Sequence, residues 1–200
     1  MNFEDAVTFH GHACPGLAFG YRVAKLALRE LGLRSRDEEL VAVVENNSCA
    51  VDAIQLICAC TFGKGNLIFQ DYGKQVYTFI KRPDPVALRI AVNWEPPPED
   101  PETEAMWKRY MEGDRSPEVT AVVQDRKARK MKLILAADDS ELFEMKRIQV
   151  EMPEPARIYQ SLTCDKCGDK VMEPRTKEVG GQILCMPCSK EPEARSQNKL

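Results

Sequence analysis

FHGHACPGLAFGYRVAKLALRELG, residues 9–32, decides how the rest of the chain is read. From Leu17 onward the apolar positions Leu17, Tyr21, Ala24, Leu28 and Leu31 recur at helical spacing, and Gly32 supplies a stop. The helix is fed by His10-Gly11-His12-Ala13-Cys14-Pro15-Gly16, which holds both histidines of a 200-residue chain. If this segment is extended, His10, His12 and Cys14 project to the same side, because side chains of extended residues alternate with period two. Cys14 then lies where a helix N-terminus favours the thiolate. Neutral imidazole and thiolate are ligands for a borderline-soft ion such as zinc. His10, His12 and Cys14 are therefore read as a metal or catalytic site.

The next apolar run, Leu40 to Val44, reads as a buried strand. Asn47-Ser48 is a cap signal, and a second helix is expected from about Cys49 to Cys60. On it Cys49, Ala53, Leu56 and Cys60 share one face. Cys49 and Cys60 are about 16 Å apart along such an axis, so at most one of them joins the histidine loop. Cys49, at the helix start, is the better candidate, and Cys60 stays open. Cys58 lies on another face and reads as core. Asp52 reads equally as the acceptor that holds a ligating histidine and as a simple partner of the helix dipole. Lys64 and Lys74 fall in glycine turns, either as exposed turn residues or as cations facing an anionic ligand. Gly63-Lys64-Gly65-Asn66 lacks phosphate-loop spacing.

Leu67–Gln70 and Val76–Ile80 read as strands of a hairpin around Asp71–Lys74, and Ala87–Val92 as a further strand. Six of the thirteen prolines lie between Pro83 and Pro101, which predicts an extended linker or arm that reaches a second copy of the chain. Glu102–Tyr110 reads as a short helix. Ser116-Pro117-Glu118 starts another, expected to end near Met131 with its basic residues Arg126, Lys127, Arg129, Lys130 and Lys132 on a solvated face. Phe143–Val150 reads as a strand.

Eight cysteines without an export signal are not a disulfide framework. Cys164-Asp165-Lys166-Cys167-Gly168 and Cys185-Met186-Pro187-Cys188 are two CxxC pairs with 17 residues between them. That spacing predicts a closed, structural four-cysteine zinc site. Glu178–Leu184 between them reads as a tight hairpin. Residues 151–200 hold eight basic and eight acidic residues, so this module lacks the positive field of a nucleic-acid finger and reads as structural or as a protein contact. The whole chain has a net charge of −3 and no apolar run of the roughly 18 residues a membrane span needs. The expectation is a cytoplasmic protein with no membrane partner.

FHGHACPGLAFGYR (Phe9–Arg22), ENNSCAVDAIQLICACTFGKGNL (Glu45–Leu67) and DYGK (Asp71–Lys74) resemble the E-subunit family of formylmethanofuran dehydrogenase. The resemblance covers roughly residues 5–150, and the cysteine module resembles the zinc-ribbon extension of some members. It implies an α+β core forming an intertwined homodimer, and a bound metal at His10, His12, Cys14 and Cys49. It implies no known reaction. Where the family has Gly-Cys-Thr, this chain has Ala59-Cys60-Thr61.

The resulting expectation is an α+β fold with helices packed on a mainly antiparallel sheet, plus a small treble-clef-like zinc ribbon. Its divisions are a core over 1–152, the ribbon over 153–191 and a disordered tail over 192–200. Two zinc ions per chain are expected. The first functional reading is a metal-binding protein whose core site has a catalytic role, with Cys14, His12 and Lys64 as candidate residues. The alternative is a non-catalytic accessory or regulatory protein that docks through the ribbon to a molybdenum or tungsten oxidoreductase or to nucleic acid.

Overall fold

The structure is a computed structural model that describes residues 1–32 and 34–190. The expected tail over 192–200 lies outside the described residues. The chain divides into two compact units, with the boundary between Ala156 and Arg157.

The first unit is α+β. Its elements are α1 (Phe3–His10), α2 (Pro15–Leu31), β1 (Leu40–Val44), α3 (Ala50–Cys58), β2 (Leu67–Phe69), β3 (Val76–Lys81), β4 (Val86–Val92), α4 (Pro101–Met111), α5 (Pro117–Ala136), the single turn α6 (Asp139–Leu142) and β5 (Phe143–Gln149). The sheet has the order β2-β1-β3-β4-β5. Only β1 and β2 are parallel; the other three pairings are antiparallel. Period-two alternation sorts the strand residues into two layers. Leu40, Ala42, Val44, Tyr77, Phe79, Leu88 and Ile90 face the helices and join Val23, Leu26, Ile54, Ile57 and Ile134 in the main core. Val41, Ile80 and Ala87 pack on the opposite face beneath Ile148, Val150 and Met152.

Helix α2 begins with Pro15 after Cys14 and stops at Gly32, which takes a left-handed φ of 70°. Its glycines Gly16 and Gly20 face α3. A Cβ on Gly20 would lie 2.1 Å from the Ala50 carbonyl oxygen, and one on Gly16 would lie 3.3 Å from Cys49 Cβ. The two helices therefore meet nearly backbone to backbone at their first turns. Arg22 on α2 donates to the carbonyls of Ile134, Leu135 and Ala137 and to Asp139. It thus satisfies the last carbonyls of α5, which have no partners within that helix.

Several expectations are corrected. β2 and β3 are not a hairpin: β1–α3–β2 is a parallel crossover, and β1 lies between them. The local turn at Asp71–Lys74 gives no sign of this long-range pairing. The proline-rich stretch is not one extended arm, because β4 within it pairs on both sides and buries Ala87, Leu88 and Ile90. The rest of it returns to the unit, where Asp100 caps α4 and Glu99 pairs with Arg126 at 2.7 Å. Helix α5 runs five residues past Met131, to Ala136, so its basic run is not terminal. Arg126 is not solvated either; it stacks 4.2 Å from the Trp107 ring with its side chain 12% exposed. Helix α3 ends at Cys58, because Ala59 takes the left-handed φ of 55°.

The two sheet edges differ. β5 exposes Glu144, Lys146 and Arg147, with Lys146 on Glu144 and Arg147 on Glu30. β2 is three residues long, uncharged, and exposes Phe69.

The second unit contains β6 (Ser161–Thr163), β7 (Lys170–Met172), β8 (Thr176–Val179), β9 (Gln182–Cys185) and α7 (Met186–Lys190). β6 pairs with β7 and β8 with β9, both antiparallel. Gly180 and Gly181 both have positive φ, as a two-residue hairpin turn requires. Among the described residues no helix is long and apolar enough to cross a membrane.

Gly20→Ala tests the backbone contact. Alanine favours helix by about 1 kcal/mol, but a Cβ inside a carbonyl's contact radius forces the helices apart. The expected net loss is about 2 kcal/mol or more, read from the urea unfolding midpoint. Gly63→Ala, where an added Cβ meets nothing within 4 Å, is the control.

Candidate metal centres

The core centre forms where three helices meet. Asn2 and Asp5 make a reciprocal capping box that starts α1, and Gly11 at φ 92° stops it. His10 is consequently the last residue of a helix, His12 sits in the bend that follows, and Cys14 is the N-cap of α2. The segment is thus not extended. The donors converge because the chain turns sharply between two helices. Cys49, the N-cap of α3, completes the group. One ligand atom from each of His10, His12, Cys14 and Cys49 lies within 4.8 Å of the others.

The donors are oriented individually. His10 Nδ1 lies 2.7 Å from Asp52 Oδ2, an arrangement in which Nδ1–H donates to the carboxylate and Nε2 is the nitrogen open to a metal. The His10 side chain is 11% exposed, and its Nε2 is buried without a hydrogen-bond partner. A buried unpaired nitrogen is costly, and an ion at this point resolves it. Cys14 Sγ accepts the Leu17 N–H at 3.3 Å. Burial, followed by the neighbouring Cys14 thiol, pushes the Cys49 thiol above its usual range. A divalent cation reverses both effects by its own charge. Two imidazoles and two thiols, one nitrogen buried and unsatisfied, fit a zinc ion.

The other candidates lie elsewhere. Cys60 is buried with its thiol against the Leu40 carbonyl at 3.3 Å, and burial pushes it up to about 12. Cys58 is buried against the Ala24 carbonyl, and burial raises its thiol too. Of the two open choices, Cys49 is the one in the group. Lys64 follows the opposite end of α3, about 14 Å of helix away from Cys49. Lys74 is closer in the network: its carbonyl accepts Asn46 Nδ2 at 2.6 Å.

Asn46 does not stand out in the sequence. It is 8% exposed, donates also to the Tyr77 hydroxyl, and accepts from the Ser48 N–H and hydroxyl. It joins the end of β1, the start of α3 and the Asp71–Lys74 loop. Its signal is the polar run Glu45–Ser48 between an apolar strand and an apolar helix, which reads locally as a cap alone.

The second unit holds the four-cysteine group. The sulfurs of Cys164, Cys167, Cys185 and Cys188 lie within 4.8 Å of one another. Gly168, at φ 78°, turns the first knuckle and donates to the Cys164 carbonyl. The backbone N–H groups of Cys167 and Cys185 hold the Cys164 thiol down at about 6. Asp165 locks this knuckle to β9 through paired backbone and side-chain bonds with Ile183. Among the described residues, the apolar interior of this unit is Leu184 and Val171 around the cysteines.

Residues 9–144 match the family described as FmdE, molybdenum formylmethanofuran dehydrogenase operon. Residues 157–194 match the prokaryotic DksA/TraR C4-type zinc finger. A probable S-adenosyl-L-methionine-binding protein of Archaeoglobus fulgidus is 31% identical over 192 residues, which is 92% of this chain and 51% of that protein. The chain thus spans about half the length of this curated relative. A tungsten formylmethanofuran dehydrogenase FmdE-like protein from Syntrophus aciditrophicus shares the fold, with a TM-score of 0.58 at 20% identity, over 95% of this chain and 93% of that one. The chain belongs to the FmdE family and carries a DksA/TraR-type C4 zinc finger after its core.

Proposed function

We propose that this is a two-zinc protein in which the finger ion is structural and the ion held by His10, His12, Cys14 and Cys49 is the functional centre of a homodimeric core. The single observation that carries the reading is the buried, unpartnered Nε2 of His10, aligned by Asp52 and grouped with three further donors. Zinc there supplies Lewis acidity of the kind hydrolases and lyases use. The chain's own residues hold and orient it: Asp52 fixes the His10 tautomer, and Asn46 fixes the turn that presents Cys49. Lys64, at the far end of α3, is dropped from the candidate catalytic set. Cys14 and His12 remain.

The accessory reading is favoured by one feature. Four protein donors are grouped, the number that closes a structural zinc site. The finger, with no excess of positive charge, is proposed as a protein contact in either reading. The dimer rests on the family resemblance, and the exposed Phe62, Phe69 and Tyr72 supply apolar surface for it.

Wild-type protein is expected to carry two zinc ions per chain by elemental analysis. Cys14→Ser should carry one, because a neutral hydroxyl is a poor zinc ligand, whereas Cys58→Ala should keep two. Asp52→Ala should weaken the core ion alone, about 10–100-fold, in a chelator competition. Two ions in Cys14→Ser would overturn the core assignment. Hydrogen exchange with chelator should show loss of protection over 161–190 before the core, since that unit folds around its ion. Sedimentation at micromolar concentration should give twice the 22.6 kDa chain mass. A monomer would remove the dimer from the reading.

A further inference from the structure

The four donors of the core centre are held unequally. His10 is tethered by Asp52 and is nearly buried. Cys14 is fixed as an N-cap, accepts the Leu17 N–H, and is followed by Pro15. Cys49 is half-buried and sits against Gly16, in the gap that glycine leaves. His12 differs from all three. It is exposed, follows the left-handed Gly11, and lies in the short bend between two helix caps. Among the described residues no hydrogen bond holds its ring; its one ring contact is His10, with centroids 4.4 Å apart.

We propose that His12 is the exchangeable ligand of the core centre and that a small thiol, bound as its thiolate, takes the place His12 leaves. The inference rests on the metal reading above. Bond by bond, the thiol S–H breaks and its proton leaves to solvent. A metal–sulfur bond forms as the metal–nitrogen bond to His12 breaks, with no change of oxidation state.

Two features favour an anionic sulfur donor in that place. The remaining set, one imidazole and two thiolates, is soft and selects soft partners. The added negative charge falls where α2 and α3 both begin. Each N-terminus presents a partial positive charge, and the first turn of α2 contains no acid. The one acid in the first turn of α3, Asp52, is engaged with His10. His12 can leave without unfolding anything, because it contributes to neither helix and is already in solvent. The other three are each held: His10 by Asp52, Cys14 by the Leu17 N–H that it caps, and Cys49 by its packing against Gly16.

The test uses full-length protein loaded with cobalt(II), with 2-mercaptoethanol as the probe. Wild type should bind two cobalt ions per chain. On thiol titration the sulfur-to-cobalt charge-transfer band of the core centre should rise by about half, three thiolates replacing two, while the four-cysteine contribution stays constant. His12→Ala should keep both ions and reach the same final spectrum at a thiol concentration at least about tenfold lower, since no imidazole competes for the position. His10→Ala should bind one ion and show no response. Three results overturn the proposal. If His12→Ala loses its core cobalt as fully as His10→Ala, His12 is a fixed ligand. If His12→Ala keeps cobalt and its spectrum does not respond, the vacated position does not take thiols. If wild type binds one cobalt only, the metal reading itself fails, and the stoichiometry shows this before any thiol is added.

Discussion

The approach of α2 to α3 is the constraint on which the rest of the first unit depends. Gly16 and Gly20, four residues apart on one helix face, let two backbones meet where any side chain would separate them. The contact puts the first turns of both helices side by side, and the N-cap of each is a cysteine. Two sulfurs and two positive helix ends are thereby concentrated in one place. Each helix end favours a nearby anion by roughly 0.3–1 kcal/mol, whereas burial acts on the Cys49 thiol in the opposite direction. A divalent ion bound between the two sulfurs would favour both thiolates by its own charge. Helix α1 then closes the group from above the bend, with Asp52 on α3 holding His10 in line.

The second unit reaches a similar donor arrangement by the opposite route. No helix packing precedes its four sulfurs. Leu184 and Val171 contribute about 1.5–3 kcal/mol each when buried, whereas a structural zinc supplies on the order of 10–16 kcal/mol of folding free energy. In the core the fold makes the site, and in the finger the ion makes the fold. A metal bound in each unit would therefore matter differently when removed, even though both units offer four candidate ligands.

What can be read from the chain alone follows from the range of each signal. Helix α2 is legible because its apolar stripe, Pro15 and Gly32 are all local. The finger is legible because its spacing is rigid, and the histidine loop because both histidines of the chain fall within it. Helical geometry limits the histidine loop to one of Cys49 and Cys60, and the structure places Cys49 in the group. Helix α1 escapes a sequence reading because it is two turns long and its only strong mark is the Asn2–Asp5 box. The β2–β3 hairpin is a misreading because a turn signal describes four residues, whereas strand order depends on where α3 carries the chain. The prolines mislead for a related reason: Pro83 and Pro85 precede a central strand without entering it. The roles of Gly16, Gly20 and Asn46 depend on what faces them across the fold, and only tertiary structure supplies that.

The unequal edges of the sheet limit how copies of this chain can grow together. An edge strand with free backbone groups is a template for another strand. β5 carries the exposed charges of Glu144, Lys146 and Arg147, and charged side chains blunt an edge. β2, short and uncharged, lacks that protection. A body with two adhesive edges polymerises into a ribbon. The sheet of the first unit has one charged edge and one short, uncharged edge, so edge-to-edge growth has only one unprotected side to start from.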